Sequence, residues 1–189
     1  MSIQNELKSR SGLNITPNII AVTKTFSTDI IKPLIDYGHI HYGENKVQEA
    51  MKKWTKLKDT YKDIKLHMIG KLQSNKVKFV IPLFDYVHSL DNFKLAEKIS
   101  LEQKKLGKNL KIFIQVNIGK EDQKSGVNKE DVNDFYKKCV NDFGLDIIGL
   151  MCIPPIENDP SEYFEKIEDA AKKLSLNNLS MGMSSDYLK

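Results

Sequence analysis

Seven short apolar or β-branched runs punctuate the chain, at Ile19–Lys24, His39–Asn45, Lys65–Gly70, Tyr86–Leu90, Lys111–Ile118, Asp146–Ile153 and Leu179–Met183. Each has the length and composition of a strand. The segments between them carry helical spacing or helix-boundary residues. Ser27 is placed to cap a helix that stops before Gly38, and Pro33 inside it predicts a bend or break. Lys46 to Lys58 is polar and helix-prone. Asp91 can cap Asn92 to Leu106, with Gly107 as the stop. Asn128 precedes Glu130 and Asp131, carboxylates suited to a first helical turn. Asp159 or Ser161 opens a last complete helix reaching Leu174. Seven strands alternating with six helices predict an α/β fold of parallel strands and right-handed crossovers, closed as a barrel or open and doubly wound. No linker, repeat or low-complexity tract divides residues 1–189, which reads as a single domain.

In parallel α/β folds the chemistry sits at the C-terminal ends of strands, and these ends are polar here. The first run ends Thr23-Lys24, the second Glu44-Asn45, the fourth Val87-His88-Ser89, the fifth Gln115-Val116-Asn117, and the last reads Leu179-Ser180-Met181-Gly182-Met183-Ser184. A lysine ending an apolar strand is expected to be partly desolvated, which favours the neutral amine and its attack on an aldehyde. Position alone fits a solvent-reaching lysine as well. Ser180 to Ser185 joins a strand to a helix start, where hydroxyls, free N–H groups and Gly182 suit a phosphate, although simple N-capping by Ser184 or Ser185 uses the same residues. His39 and His41 share a strand face and could hold a metal, but no third ligand has zinc-like spacing, and a packed or exposed pair accounts for them better, so no metal is expected. Cys152 reads as a buried thiol. Lys71 to Lys78 reads as a solvated loop and helix start, able to attract an anion. Neither G-x-G-x-x-G nor G-x-x-x-x-G-K-[ST] follows any strand, which argues against dinucleotide and P-loop sites.

Composition narrows the classes further. Hydrophobic residues make up 40% and charged residues 29% of the 189, enough for an ordinary core. No apolar run approaches a membrane span, and the first residues lack a secretory pattern. Two cysteines build no disulfide framework, which fits the cytoplasm. The net charge is +4, yet Arg10 is the sole arginine among 29 basic residues. Bidentate reading of phosphate or guanine is the work of arginine, so no nucleic-acid partner is expected.

The motifs together resemble the pyridoxal-phosphate homeostasis protein family (the YggS/PROSC family), related to the N-terminal barrel of alanine racemase. Ala21-Val22-Thr23-Lys24-Thr25 is similar to its A-V-S-K-T. His41-Tyr42-Gly43-Glu44-Asn45-Lys46-Val47-Gln48-Glu49 is similar to its F-G-E-N-x-x-Q-E. His67-Met68-Ile69-Gly70-Lys71-Leu72-Gln73-Ser74-Asn75-Lys76 is similar to its H-F-I-G-x-L-Q-x-N-K. Val87 to Asp91, Gln115 to Asn117, Lys124-Ser125-Gly126, Gly149-Leu150-Met151 and Leu179 to Ser184 continue the series in order. The resemblance implies a (β/α)8 TIM-barrel-like domain of the alanine racemase N-terminal type, fold type III among pyridoxal 5′-phosphate (PLP) proteins. It implies PLP at the C-terminal mouth, linked as a Schiff base to Lys24, with Ser180 at the phosphate, Asn45 near the cofactor and Met183 among the cofactor-binding residues. It implies a carrier in vitamin B6 homeostasis that serves PLP-dependent apo-enzymes, without robust catalytic turnover. A racemase-like enzyme remains open on cofactor chemistry alone, although proton donors and acceptors on both faces are needed and no clear pair stands beside Lys24.

The sequence departs from the family at its end. It stops inside the helix expected after the seventh strand, so strand eight, its R-I-G-T-like phosphate segment and the final helix are absent from the 189 residues. The domain is therefore expected to be incomplete at its C-terminus, with Ile19–Lys24 as an apolar edge open to strand-swapped association, where a complete member is expected to be a monomer. Two lost phosphate hydrogen bonds correspond to roughly 10²- to 10⁴-fold weaker binding. The readings are a partial sequence, a short protein completed by a partner chain, or a degenerate copy with weak or no cofactor binding. At the other end, the leading helix is reduced to about Ile3 to Arg10. Phe26 stands where the family often has a polar or basic residue, and Cys152 where threonine is common.

Overall fold

The structure, a computed structural model, describes residue 5 and residues 17–119, 125–155 and 159–186. The leading helix expected at Ile3 to Arg10, and Lys124 of the motif series, lie outside the described residues except for Asn5. All seven expected strands form: β1 (Ala21–Val22), β2 (His41–Glu44), β3 (Lys65–Met68), β4 (Tyr86–Leu90), β5 (Lys111–Asn117), β7 (Asp146–Met151) and β8 (Asn178–Ser180). An eighth, β6 (Val127–Asn128), is a two-residue ladder on β5, too short to show in the apolar pattern.

The helices are α1 (Thr28–Asp36), α2 (Val47–Thr60), α3 (Val77–Leu83), α4 (Phe93–Leu106), α5 (Val132–Asn141) and α6 (Ser161–Lys173). Their ends follow local chemistry. Asn92, rather than Asp91, caps α4 by accepting from the Leu95 amide at 2.9 Å, and Gly107 ends it in the left-handed region at φ 61°. Asp159 accepts from the Ser161 amide and hydroxyl at 3.0 and 2.9 Å at the start of α6. Asn128 leads first into a 3-10 turn, Lys129–Asp131, before α5. Pro33 does not break α1, which runs on through Asp36. It removes one hydrogen bond from a helix already anchored by buried Ile31 and Ile35.

Every pairing is parallel, in the order β1-β2-β3-β4-β5-β7-β8, with β6 beside β5 off this path. The order never reverses, so it has no switch point of the doubly wound kind. Right-handed crossovers then place all helices on one face. Strand alternation puts Tyr42 and Leu66 on that face, where Tyr42 lies 4.8 Å from the Trp54 ring of α2. The opposite face carries His41, His67, Tyr86, His88, Phe113 and Ser180. His88 of β4 and Ser180 of β8 meet at 2.7 Å with β5 and β7 between them. A flat sheet would hold those strands about 14 Å apart, so the sheet is curled, with its C-terminal strand ends around one concave rim. This is a partial TIM barrel. Among the described residues β1 and β8 are its two edges, each paired with one neighbour.

Candidate functional site: the C-terminal rim

The rim begins where β1 ends. Glu44, the last residue of β2, is fully buried against α2 and gathers donors. Its Oε1 accepts from Thr23 Oγ1 at 2.7 Å, Lys53 Nζ at 2.8 Å and Trp54 Nε1 at 2.9 Å. Lys53 also donates to the Thr23 carbonyl at 2.7 Å. One residue past Lys24, the Thr25 amide donates to Glu49 Oε1 at 2.6 Å, and Thr25 takes a left-handed φ of 69°, which a β-branched residue holds only under constraint. The Thr25 amide, with Lys53 behind it, keeps the Glu49 carboxyl below the usual carboxylate range. Lys24 thus projects from a turn pinned on both sides by acids of the next strand and helix. Lys24 itself is exposed, not partly buried as its place at the end of an apolar strand predicts. The reason is that β1 is an edge: on its outer flank no strand covers it among the described residues.

Asn45 follows Glu44 onto the concave side. Its Oδ1 is buried and has no hydrogen-bond partner, an arrangement that costs stability unless a ligand supplies the donor. It lies on a cleft of about 400 Å³ lined also by Gly70, Lys71, Gln115, Asn117 and Ser125, at the ends of β2, β3 and β5. Gly70 is required there. A Cβ would stand 2.3 Å from the Asn45 carbonyl oxygen, so only glycine lets the two loops close on each other. On the outer side Asn45 also borders a groove of about 480 Å³ edged by Lys46, Lys52, Lys71 and Lys76, which gives the rim a cationic surround.

At the far edge, Ser180 is half-buried and its Oγ meets His88 Nδ1. Met183 follows Gly182, which adopts φ 85°. The Met183 side chain is exposed, and its amide donates to the Asp186 carboxylate. That amide therefore already holds an anionic oxygen.

Beneath the rim runs a line of imidazoles. His41 Nδ1 meets His67 Nε2 at 3.0 Å, and His67 Nδ1 meets His88 Nε2 at 2.9 Å. Tyr86 stacks on His67 with ring centroids 4.1 Å apart, and Phe113 on His88 at 4.4 Å. Burial pushes His67 down to about 2, with the neighbouring His88 adding to the effect, and His88 down to about 3; both rings are neutral. Burial also lowers His41. His39 is not a partner of His41 in metal binding: its Nε2 bonds the His41 carbonyl oxygen at 2.8 Å. Among the described residues no cluster of three or more His, Cys, Asp or Glu is arranged to hold a metal. Burial first, then Asp186, raises the Cys152 thiol to about 12, so Cys152 is an inert core thiol.

The structure thus sets Lys24 and Asn45 at the ends of adjacent strands and brings Ser180 onto the same concave face through His88. Of Lys24, Asn45, Ser180 and Met183, Asn45 is the one that lines these two clefts. The Glu44–Lys53 pair and the imidazole line are not evident from the sequence. Histidines at alternating positions of successive runs are the available signal, and it becomes readable only once the register pairs His67 with Tyr86 and Gly43 with His67.

Comparison with known proteins agrees with this geometry. The family model for the alanine racemase N-terminal domain matches residues 5–189. A pyridoxal phosphate homeostasis protein of Aquifex aeolicus is 36% identical over 181 residues, spanning 89% of this chain and 77% of the relative. PipY of Synechococcus elongatus, solved without PLP, is 33% identical with a TM-score of 0.84, covering 98% of this chain and 91% of PipY. PipY solved with PLP bound is 31% identical with a TM-score of 0.78 over the same shares. Alanine racemase of Clostridium difficile, at 16% identity and a TM-score of 0.65 over 90% of this chain and 44% of its own, shares the fold. The chain belongs to the pyridoxal phosphate homeostasis protein family, built on the fold of the alanine racemase N-terminal domain.

Proposed function

We propose that this chain binds PLP at the C-terminal rim and serves vitamin B6 homeostasis, with Lys24 as the residue that links the cofactor as a Schiff base. The observation that carries the reading is the likeness to PipY, solved with PLP bound, over 98% of the chain. The residues present fit the group. Lys24 stands exposed on a pinned turn, Asn45 presents a buried acceptor without a partner, and Gly70 keeps the adjoining cleft open. Bound, PLP supplies an electrophilic aldehyde and a dianionic phosphate. Lys24 would supply the amine that holds the aldehyde carbon as an imine. Ser180 Oγ–H and the Met183 amide would be the donors to the phosphate, the Met183 amide in place of its present bond to Asp186. Lys71 and its neighbours raise the local concentration of the anion. The chain works as a single domain, as a carrier that yields the cofactor to PLP-dependent apo-enzymes in the cytoplasm. Among the described residues no helix is long and apolar enough to cross a membrane.

Borohydride reduction of the protein mixed with PLP, followed by peptide mapping, tests this. A pyridoxyl adduct on Lys24 that disappears in Lys24→Ala is expected. An adduct at other lysines only, or none from a folded sample with excess PLP, overturns the reading.

A further inference from the structure

The three imidazoles and Ser180 form one uninterrupted chain: His41 Nδ1 to His67 Nε2, His67 Nδ1 to His88 Nε2, and His88 Nδ1 to Ser180 Oγ, at 3.0, 2.9 and 2.7 Å. Both nitrogens of His67 and of His88 are used. A neutral imidazole has one N–H donor and one acceptor, so each of these rings must donate on one side and accept on the other. The chain therefore has only two states. In one, every ring carries its proton on Nδ1 and Ser180 accepts from His88, which leaves the Ser180 O–H free to point at the rim. In the other, Ser180 donates to His88, the protons sit on Nε2, and the hydroxyl offers the rim no hydrogen. The stacked Tyr86 and Phe113 rings cover His67 and His88, which are both buried.

We propose that His88, backed by His67 and His41, is a positioning residue that fixes the direction of the Ser180 hydroxyl, and that an anionic phosphate at the rim selects the state with all three protons on Nδ1. This rests on the assignment of Ser180 to the PLP phosphate. An anion accepts and cannot donate, so its contact with Ser180 requires the O–H to point outward and sets the tautomer of a ring three strands away in the sheet order. The chain makes Ser180 a committed donor, which favours phosphorylated over unphosphorylated forms of the same aldehyde.

The test uses the full chain with ¹⁵N-labelled histidine and long-range ¹H–¹⁵N spectra at pH 7.5, with PLP saturation followed separately by borohydride trapping. The expected result is Nδ1–H in His41, His67 and His88 of the loaded protein. Trapped PLP together with Nε2–H in His67 or His88 overturns the inference and leaves the proposed function standing. Absence of trapped PLP removes both. In His88→Phe, which keeps an aromatic ring beside Phe113, PLP affinity is expected to fall about three- to tenfold, the range of one neutral hydrogen bond. Pyridoxal affinity is expected to change less than twofold. Equal losses for both ligands overturn the inference, because a merely structural role for His88 would weaken them alike. Should His88→Phe not fold, the spectra of the unaltered chain decide alone.

Discussion

The buried Glu44–Lys53 pair gives the sharpest quantitative test of how the rim is held. Their side chains are 0% and 7% exposed and stand 2.8 Å apart. At an effective dielectric near 20 the attraction is about 6 kcal/mol, set against a desolvation penalty of several kcal/mol per ion. Removing one partner of such a pair costs about 3–5 kcal/mol, because the other charge stays behind uncompensated. Glu44→Gln keeps an oxygen for Thr23 and Trp54 and deletes only the charge. Lys53 then retains Glu49 at 3.3 Å, a weaker, partly exposed partner, so a loss of about 2–4 kcal/mol is expected. With a urea m-value near 3 kcal/mol/M for a chain of this size, the unfolding midpoint drops by about 1 M. Lys53→Met strands the Glu44 carboxylate and costs a similar amount. The double variant has no buried charge, so it is expected to be more stable than the sum of the two losses by about 1–3 kcal/mol. Additivity within about 0.5 kcal/mol would refute the view that the pair acts as a charge-coupled clamp on the Thr23–Thr25 turn.

Three further outcomes follow from the same geometry. His67 and His88 are neutral in the fold at pH values where the unfolded chain protonates them near 6.5, so the unfolded state binds more protons and stability falls as the pH drops below that value toward their folded values of about 2 and 3. The slope is about 1.4 kcal/mol per pH unit per ring; urea midpoints at pH 8, 7, 6 and 5 measure it, and equal midpoints at pH 7 and 5 would contradict it. Gly70→Ala forces a Cβ against the Asn45 carbonyl and is expected to lower stability by about 1–3 kcal/mol and PLP affinity with it, read by thermal melting and by titration at the imine absorbance band. Asn45→Ala removes an acceptor that has no partner in the free protein, so its stability is expected to stay within about 1 kcal/mol of the parent or rise while PLP affinity falls; a large loss of stability would show that Oδ1 is paired.

How much was legible in the sequence differs by level of structure. The strand runs stand out because each is bounded by glycine, proline or polar residues, and all seven form, with ends that differ by at most three residues. The two-residue β6 does not stand out, since Val127–Asn128 carries no periodicity. The choice between barrel and doubly wound sheet needed strand order, which apolar spacing does not encode. At the rim, Lys24, Asn45 and Ser180 are singled out through motifs, but the desolvation expected for Lys24 depends on a strand beside β1. Glu44 looked like one more charged residue of a polar strand end. That it is fully buried follows from Lys53 and Trp54, about two turns into α2, reaching back to it. Contacts between a strand end and the middle of the next helix leave no local pattern.

The three described side-chain atoms that are buried without a hydrogen-bond partner are Glu44 Oε2, Asn45 Oδ1 and Ser89 Oγ. All lie in the last two residues of β4 or at and just past the end of β2. Each costs about 1–3 kcal/mol relative to a satisfied group, and that cost falls on the rim, not on the strand starts below it. The imidazoles on the same concave face show the opposite economy, with both nitrogens of His67 and His88 used. Polar groups under the rim are therefore spent on holding each other, while Asn45, at the cleft, is left with capacity to spare. Such a division is expected of a scaffold whose interior orients a few groups toward a ligand, and it makes Asn45 at the end of β2 the acceptor to test first.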